Sequence, residues 1–130
     1  MSVRRVSIMG STGSIGQSAL DVVRHANSNT SEDFQIVALA AGSDAQALAA
    51  QAVEFKAEIA VIADESKLPE LRTCLAHTGV EAAAGEAAIQ EAAARPVDRV
   101  LAAIVGAAGL KSTIAAVRAG NHVAIANKES

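Results

Sequence analysis

The stretch Val3-Arg4-Arg5-Val6-Ser7-Ile8-Met9-Gly10-Ser11-Thr12-Gly13-Ser14-Ile15-Gly16 runs an apolar, β-branched segment directly into three glycines spaced three apart. Its first half predicts a strand over Val3 to Met9. After the glycines, Ile15, Ala19, Val22 or Val23, and Ala26 recur at three-to-four-residue spacing, which predicts a helix with one apolar face. The order is therefore strand, glycine turn, helix. A pyrophosphate needs backbone N–H donors without side chains in the way, and it gains from the partial positive charge at a helix N-terminus. In that setting Gly10 makes the tight turn, Gly13 lets backbone and phosphate approach, and Gly16 lets the helix sit close to the sheet. The hydroxyls of Ser11, Thr12 and Ser14 add donors and caps, and Ile15 directs an apolar group toward a nucleotide or the core. The alternative is a turn that serves strand–helix packing only. Its place after the first strand and at the head of a βαβ pattern favours a cofactor.

The same alternation continues along the chain. Phe34 to Ala41 reads as a second strand and Asp44 to Phe55 as a helix that Ser43 or Asp44 caps. Ile59 to Ala63 is a third strand. Ser66 to His77 is a third helix, with Pro69 tolerated in its first turn and Gly79 ending it. Val80 to Ala83 is a weaker strand, because alanine is a poor strand former, and Gly85 to Ala94 is a short helix stopped by Pro96. Arg99 to Val105 is a strand, Gly106 and Gly109 form a turn, Lys111 to Ala119 is a helix ended by Gly120, and His122 to Ala126 is the last strand. Up to six strands alternating with helices predict an α/β chain: a Rossmann-type three-layer fold, a mainly parallel sheet flanked by helices. The whole of 1–130 reads as one dinucleotide-binding domain.

Composition narrows the function classes. The 130 residues are 51% hydrophobic and 19% charged, sufficient for a core and unlike a disordered chain. A net charge of −3 gives no electrostatic reason to bind nucleic acid or an anionic membrane. The apolar run Val100 to Leu110 is broken by two glycines and is shorter than the roughly 20 residues of a membrane span. No secretory signal is legible at the N-terminus, and the single cysteine, Cys74, fits a reducing compartment, so the expected location is the cytoplasm. Cys74 reads as a small buried residue rather than a nucleophile. His25, His77 and His122 have no metal-ligand spacing, and no metal site or catalytic residue is assigned within the chain.

Two further segments stand where α/β sheets bind ligands. Gly42-Ser43-Asp44 follows the second strand, where an acidic residue favours NAD and a basic one NADP. Asp44 is read either as a ribose partner or as a helix cap, and on residues alone the preference leans to NAD. Glu32 and Asp33 precede the strand and read as solvated loop charges. Gly106-Ala107-Ala108-Gly109 is either a close passage for the nicotinamide end or a plain turn. Asn127-Lys128-Glu129-Ser130 places an amide, an ammonium and a carboxylate beyond the last strand.

Taken together, Gly10 to Gly16, Leu20-Asp-Val-Val-Arg-His25, Ala102-Ala-Ile-Val-Gly-Ala-Ala-Gly-Leu110 and Ala126-Asn-Lys-Glu-Ser130 resemble the 1-deoxy-D-xylulose 5-phosphate reductoisomerases across the chain. Semialdehyde dehydrogenases look similar at the first turn but lack the later two segments. They remain the alternative, beside a dinucleotide-binding module without chemistry. The resemblance implies an NADP-dependent oxidoreductase that isomerises and reduces 1-deoxy-D-xylulose 5-phosphate to 2-C-methyl-D-erythritol 4-phosphate in non-mevalonate isoprenoid biosynthesis, with NADPH and divalent Mg or Mn, as a homodimer. It implies that Thr12, Gly13, Ser14 and Ile15 contact the NADPH phosphates and that Gly42, Ser43 and Asp44 border its adenosine ribose. It places Asn127 and Glu129 toward the nicotinamide and Lys128 at the sugar-phosphate substrate. Some members carry lysine and asparagine where this chain has Ser43 and Asp44. The family's metal ligands, catalytic domain and C-terminal domain have no counterpart in these 130 residues, so the chain is expected to bind cofactor without turnover.

Overall fold

The computed structural model describes residues 3–29, 33–104 and 106–125. In order they form β1 (Val3–Met9), α1 (Ser14–Asn29), β2 (Asp33–Ala41), α2 (Ala45–Phe55), β3 (Ile59–Ile62), a 3₁₀ turn (Glu65–Lys67) and α3 (Leu68–Leu75). Then come β4 (Glu81–Ala84), α4 (Glu86–Ala94), β5 (Arg99–Ala102), α5 (Gly106–Arg118) and β6 (Val123–Ile125). The strands make one sheet in the order β4-β3-β2-β1-β5-β6, and every pairing is parallel. The expected Rossmann-type α/β architecture is present.

Parallel strands need crossovers, and the right-handed crossover decides which face each helix covers. Moving outward from β1 to β4, α1, α2 and α3 cover one face, burying Leu20, Leu48 and Leu71 against Ile8, Ile36, Leu39 and Ile62. The chain then crosses back to β5 and proceeds the other way to β6. Accordingly α4 and α5 lie on the opposite face, where Ile89 and Ala116 meet Met9, Ala38, Ala40 and Val100. Strands buried on both faces read as continuous apolar runs, which is why β2 and β3 were legible.

One irregularity sets the phase of β2. Val6 pairs with Ile36 while Ile8 pairs with Leu39, so β2 carries one extra residue there. Ile36 and Leu39 consequently share one core, and Ala38 and Ala40 the other. A bulge of this kind inverts the side-chain alternation downstream of it, so the C-terminal half of the strand is phased independently of its start.

Several boundaries differ from expectation for local reasons. Of the two valines, Val23 is the inward one (7% exposed) and Val22 points out (66% exposed). The third helix is α3 alone: Asp64 takes the Ser66 N–H and hydroxyl, at 3.0 and 2.6 Å, and winds a 3₁₀ turn before it. It ends at Leu75, where the Thr78 hydroxyl donates to the Leu75 carbonyl at 2.6 Å, and His77 has φ +65°. Leu71 and Leu75 occupy its inner face, so Cys74 is exposed rather than buried. β4 lies one residue later than expected, β5 stops at Ala102, and α5 starts at Gly106, so Gly106 to Gly109 is the first turn of a helix and not a tight turn. Gly120 ends α5 as expected, with φ +86° and its N–H on Val117 O at 2.9 Å. Asn121, which the sequence did not single out, joins three backbone groups: its amide donates to Ala93 O and Arg95 O at 3.0 and 2.9 Å and accepts from Val97 N at 3.2 Å.

Candidate dinucleotide site

β2 and β5 flank β1 on opposite sides, and the chain leaves β1 toward one and reaches the other only later. Where strand order reverses in this way, the crevice beyond the carboxyl ends of the strands is open to a ligand. The glycine turn closes that end of β1. Its path is held by main-chain bonds to the neighbouring strand, since the Gly10 and Ser11 N–H groups both donate to Ala40 O, at 2.7 and 2.9 Å.

The three glycines have three different physical reasons. Gly10 has φ +99°, and a Cβ there would stand 2.9 Å from the carbonyl carbon and oxygen of Ala103, just past β5. Gly16 is tighter still, with a Cβ position 2.2 Å from Gly10 O and 2.6 Å from the Ser11 Cα. It packs against the turn itself rather than against the sheet. Gly13 is the opposite case: among the described residues the only neighbour within 4 Å of its Cβ position is Gly10 O at 3.7 Å. Space lies outside it, at the N-terminus of α1.

The donors collect at that place. Gln17 N donates to Gly13 O at 2.9 Å, which begins the helix, and Gly13 N makes a long 3.4 Å bond to Gly10 O. Among the described residues, the N–H groups of Thr12, Ser14 and Ile15 have no backbone acceptor. Two side chains grip the turn from behind: Gln17 Nε2 donates to Thr12 O at 2.6 Å, and Gln51 Nε2, from α2, donates to Ser11 O at 2.9 Å. Of the three hydroxyls, Ser14 is exposed and Thr12 half-buried. Ser11 is fully buried with no hydrogen-bond partner for its Oγ, so it does not present a surface donor.

Gly42, Ser43 and Asp44 lie beside the turn, beyond the end of β2, and all three are exposed. Asp44 Oδ1 accepts from Ala47 N at 3.1 Å, so its carboxylate caps α2. Gly42 O accepts from Asp64 N at 2.9 Å, which ties this segment to the turn after β3. The Asp64 carboxyl is held below the usual carboxylate range by the Ser66 hydroxyl and then by the Ser66 N–H. The other shifted pair lies farther along α1 and α2: hydrogen bonds to Glu54 and Asp21 raise Arg24, and Arg24 lowers Glu54. Arg24 also stacks over Phe55, 5.3 Å from the ring centre. That cluster joins two helices and is not part of the site.

Thr12 to Ile15 and Gly42 to Asp44 are thus brought together. Asn127, Lys128 and Glu129 lie outside the described residues, as do the side chains of 106–110. Among the described residues no three His, Cys, Asp or Glu side chains gather to hold a metal ion. Gln51, Gln17 and Ala103 were missed by sequence reasoning. The one signal for Gln51 was its amide beside the buried positions Leu48 and Ala52 of an alanine-rich helix.

The 1-deoxy-D-xylulose 5-phosphate reductoisomerase family profile matches residues 6–130. The chain belongs to this family. A reductoisomerase from Rhodopseudomonas palustris (strain BisA53) is 53% identical over 127 residues, 98% of this chain and 30% of the relative. One from Ruegeria sp. (strain TM1040) is 47% identical over 130 residues, covering 100% of this chain and 32% of the relative. The chain therefore spans about a third of the length of the curated reductoisomerases it matches. Among solved structures, the Zymomonas mobilis reductoisomerase in complex with NADPH superimposes with a TM-score of 0.91 at 46% identity, over 99% of this chain and 33% of that one. A reductoisomerase in complex with NADPH, fosmidomycin and magnesium gives 0.86 at 35% identity, over 98% and 31%. A match extending from residue 6 to 130 at this identity sets aside the semialdehyde dehydrogenase alternative, which shared only the first turn.

Proposed function

We propose that these residues are the NADPH-binding part of an enzyme that isomerises and reduces 1-deoxy-D-xylulose 5-phosphate to 2-C-methyl-D-erythritol 4-phosphate. The observation that carries this is the Gly13 position, open on its outer side at a helix N-terminus where three neighbouring N–H groups have no backbone acceptor among the described residues. An anionic pyrophosphate fits that cradle, because each free N–H gains a charge-assisted bond and the helix end favours negative charge. Thr12, Gly13, Ser14 and Ile15 hold the phosphates, and Gly42, Ser43 and Asp44 border the adenosine ribose. Asn127 and Glu129 approach the nicotinamide and Lys128 the sugar phosphate, assignments that rest on the family motif. Bound NADPH supplies the hydride for the reduction. The divalent metal and most of the substrate site are assigned to residues outside those described, an assignment that rests on the family resemblance. The single cysteine supports a cytoplasmic location, and the family resemblance supports a homodimer.

Calorimetric titration with NADPH and NADH tests the binding reading. The chain is expected to bind NADPH, and no heat with either nucleotide would overturn it. Asp44→Asn keeps a capping side chain and removes a charge beside the ribose, so it should tighten NADPH about two- to fivefold and leave NADH unchanged. Equal effects on both nucleotides would place Asp44 away from the 2′-phosphate. With substrate, NADPH and manganese supplied, the 130-residue chain is expected to show no reduction in a spectrophotometric assay. Steady turnover would show that the metal site lies within it.

A further inference from the structure

The turn's outward N–H groups are useful to an anion only if the peptides carrying them are held in one orientation. The Ser11–Thr12 peptide is a planar trans unit, in which carbonyl and N–H point opposite ways. Its carbonyl is directed toward α2, where Gln51 Nε2 donates to Ser11 O at 2.9 Å, and its Thr12 N–H points to the other side and meets no carbonyl. A carbonyl oxygen accepts only, so the end of the Gln51 amide that faces it must be the NH₂. The remaining Gln51 Oε1 is buried without a hydrogen-bond partner, as is Ser11 Oγ. Among the described residues, the contact with Ser11 O is thus the hydrogen bond that Gln51's part-buried amide makes.

We infer that Gln51 is a positioning residue of the dinucleotide site: it latches the Ser11–Thr12 peptide from behind so that Thr12 N–H is presented to the pyrophosphate. It does not touch the cofactor itself. The latch comes from α2, whose N-terminus lies beside the ribose segment Gly42 to Asp44. The same helix therefore fixes both halves of the adenosine-diphosphate surface. The remaining ties, from Ala40 O to Gly10 and Ser11 and from Gln17 to Thr12 O, hold the peptides on either side and leave this one to Gln51. The inference rests on the proposed dinucleotide reading of the turn.

Two variants test it. Gln51→Leu keeps bulk and removes both polar ends. Gln51→Glu keeps length and acceptors, removes the donor and adds a negative charge. Each is expected to weaken NADPH about five- to tenfold by calorimetry, the size of one net hydrogen bond. Each should also shift the Thr12 amide resonance in the nucleotide-free chain. A space-filling role for Gln51 would lower the melting temperature of Gln51→Leu and leave both NADPH affinity and the Thr12 amide as in wild type, and that result would overturn the latch. If wild type itself bound no NADPH, the functional reading would fail, and the Thr12 amide would still decide: perturbed in both variants, the latch stands; unperturbed, it falls. Should Gln51→Leu not fold, the Thr12 amide of Gln51→Glu decides.

Discussion

Gly16→Ala is expected to lower the melting temperature by roughly 10 °C, the consequence of about 3 kcal/mol of overpacking in a domain of this size. The added Cβ would stand 2.2 Å from Gly10 O, 2.6 Å from the Ser11 Cα and 2.8 Å from the Ser11 carbonyl carbon. All three are backbone atoms, so no rotamer change relieves the clash. The turn cannot retreat cheaply either, because Gly10 and Ser11 are bonded to Ala40 O and Gly10 abuts Ala103. Gly42→Ala is the control, since none of the described residues lies within 4 Å of its Cβ position and its φ is ordinary. Thermal unfolding followed by circular dichroism separates the two. A Gly16→Ala protein that melts alongside Gly42→Ala would show that α1 and the turn do not pack as described.

Gly13→Asp should do the reverse, abolishing cofactor binding while sparing the fold. Its Cβ has room, with Gly10 O at 3.7 Å the only neighbour among the described residues, and Gly13 O already accepts the first bond of α1. Aspartate at that cap position accepts from the free N–H groups and suits the helix end. The carboxylate would then occupy the donors proposed for the pyrophosphate and repel it. NADPH affinity is expected to fall at least about a hundredfold, or roughly 2.7 kcal/mol, with no loss of thermal stability. Calorimetry beside a melting curve reads both. Retained affinity would move the phosphate site away from this turn. The contrast between adjacent glycines is the informative part, because Gly16 serves the fold and Gly13 the proposed ligand.

The order of the elements was legible because parallel strands buried on both faces are continuous apolar runs, and helices between them show a single inner face. Asp44 as a helix cap and Gly120 as a helix end followed from local chemistry, and both are seen. Two boundaries differ through competition between neighbouring local signals. Asp64 diverts the start of the third helix into a 3₁₀ turn, and residues Gly106 to Gly109, read as a turn, are wound into α5. Cys74 was expected inside because cysteine is commonly buried, but α3 is short and Leu71 and Leu75 fill its inner face.

The candidate site divides along the same line. Spacing of the glycines after a strand is a short-range pattern, so the sequence by itself determined that a phosphate-type turn heads a βαβ chain, and four separated motifs together determined the family. Only the tertiary structure decided which glycine does what, because Gly10, Gly13 and Gly16 are chemically identical and differ in what lies across from them: Ala103 just past another strand, open space, and the turn's own backbone. It also decided that Gln51, 40 residues along the chain from Ser11, reaches that turn. A contact between residues that far apart depends on how α2 packs on the sheet, and no local pattern in the chain encodes it.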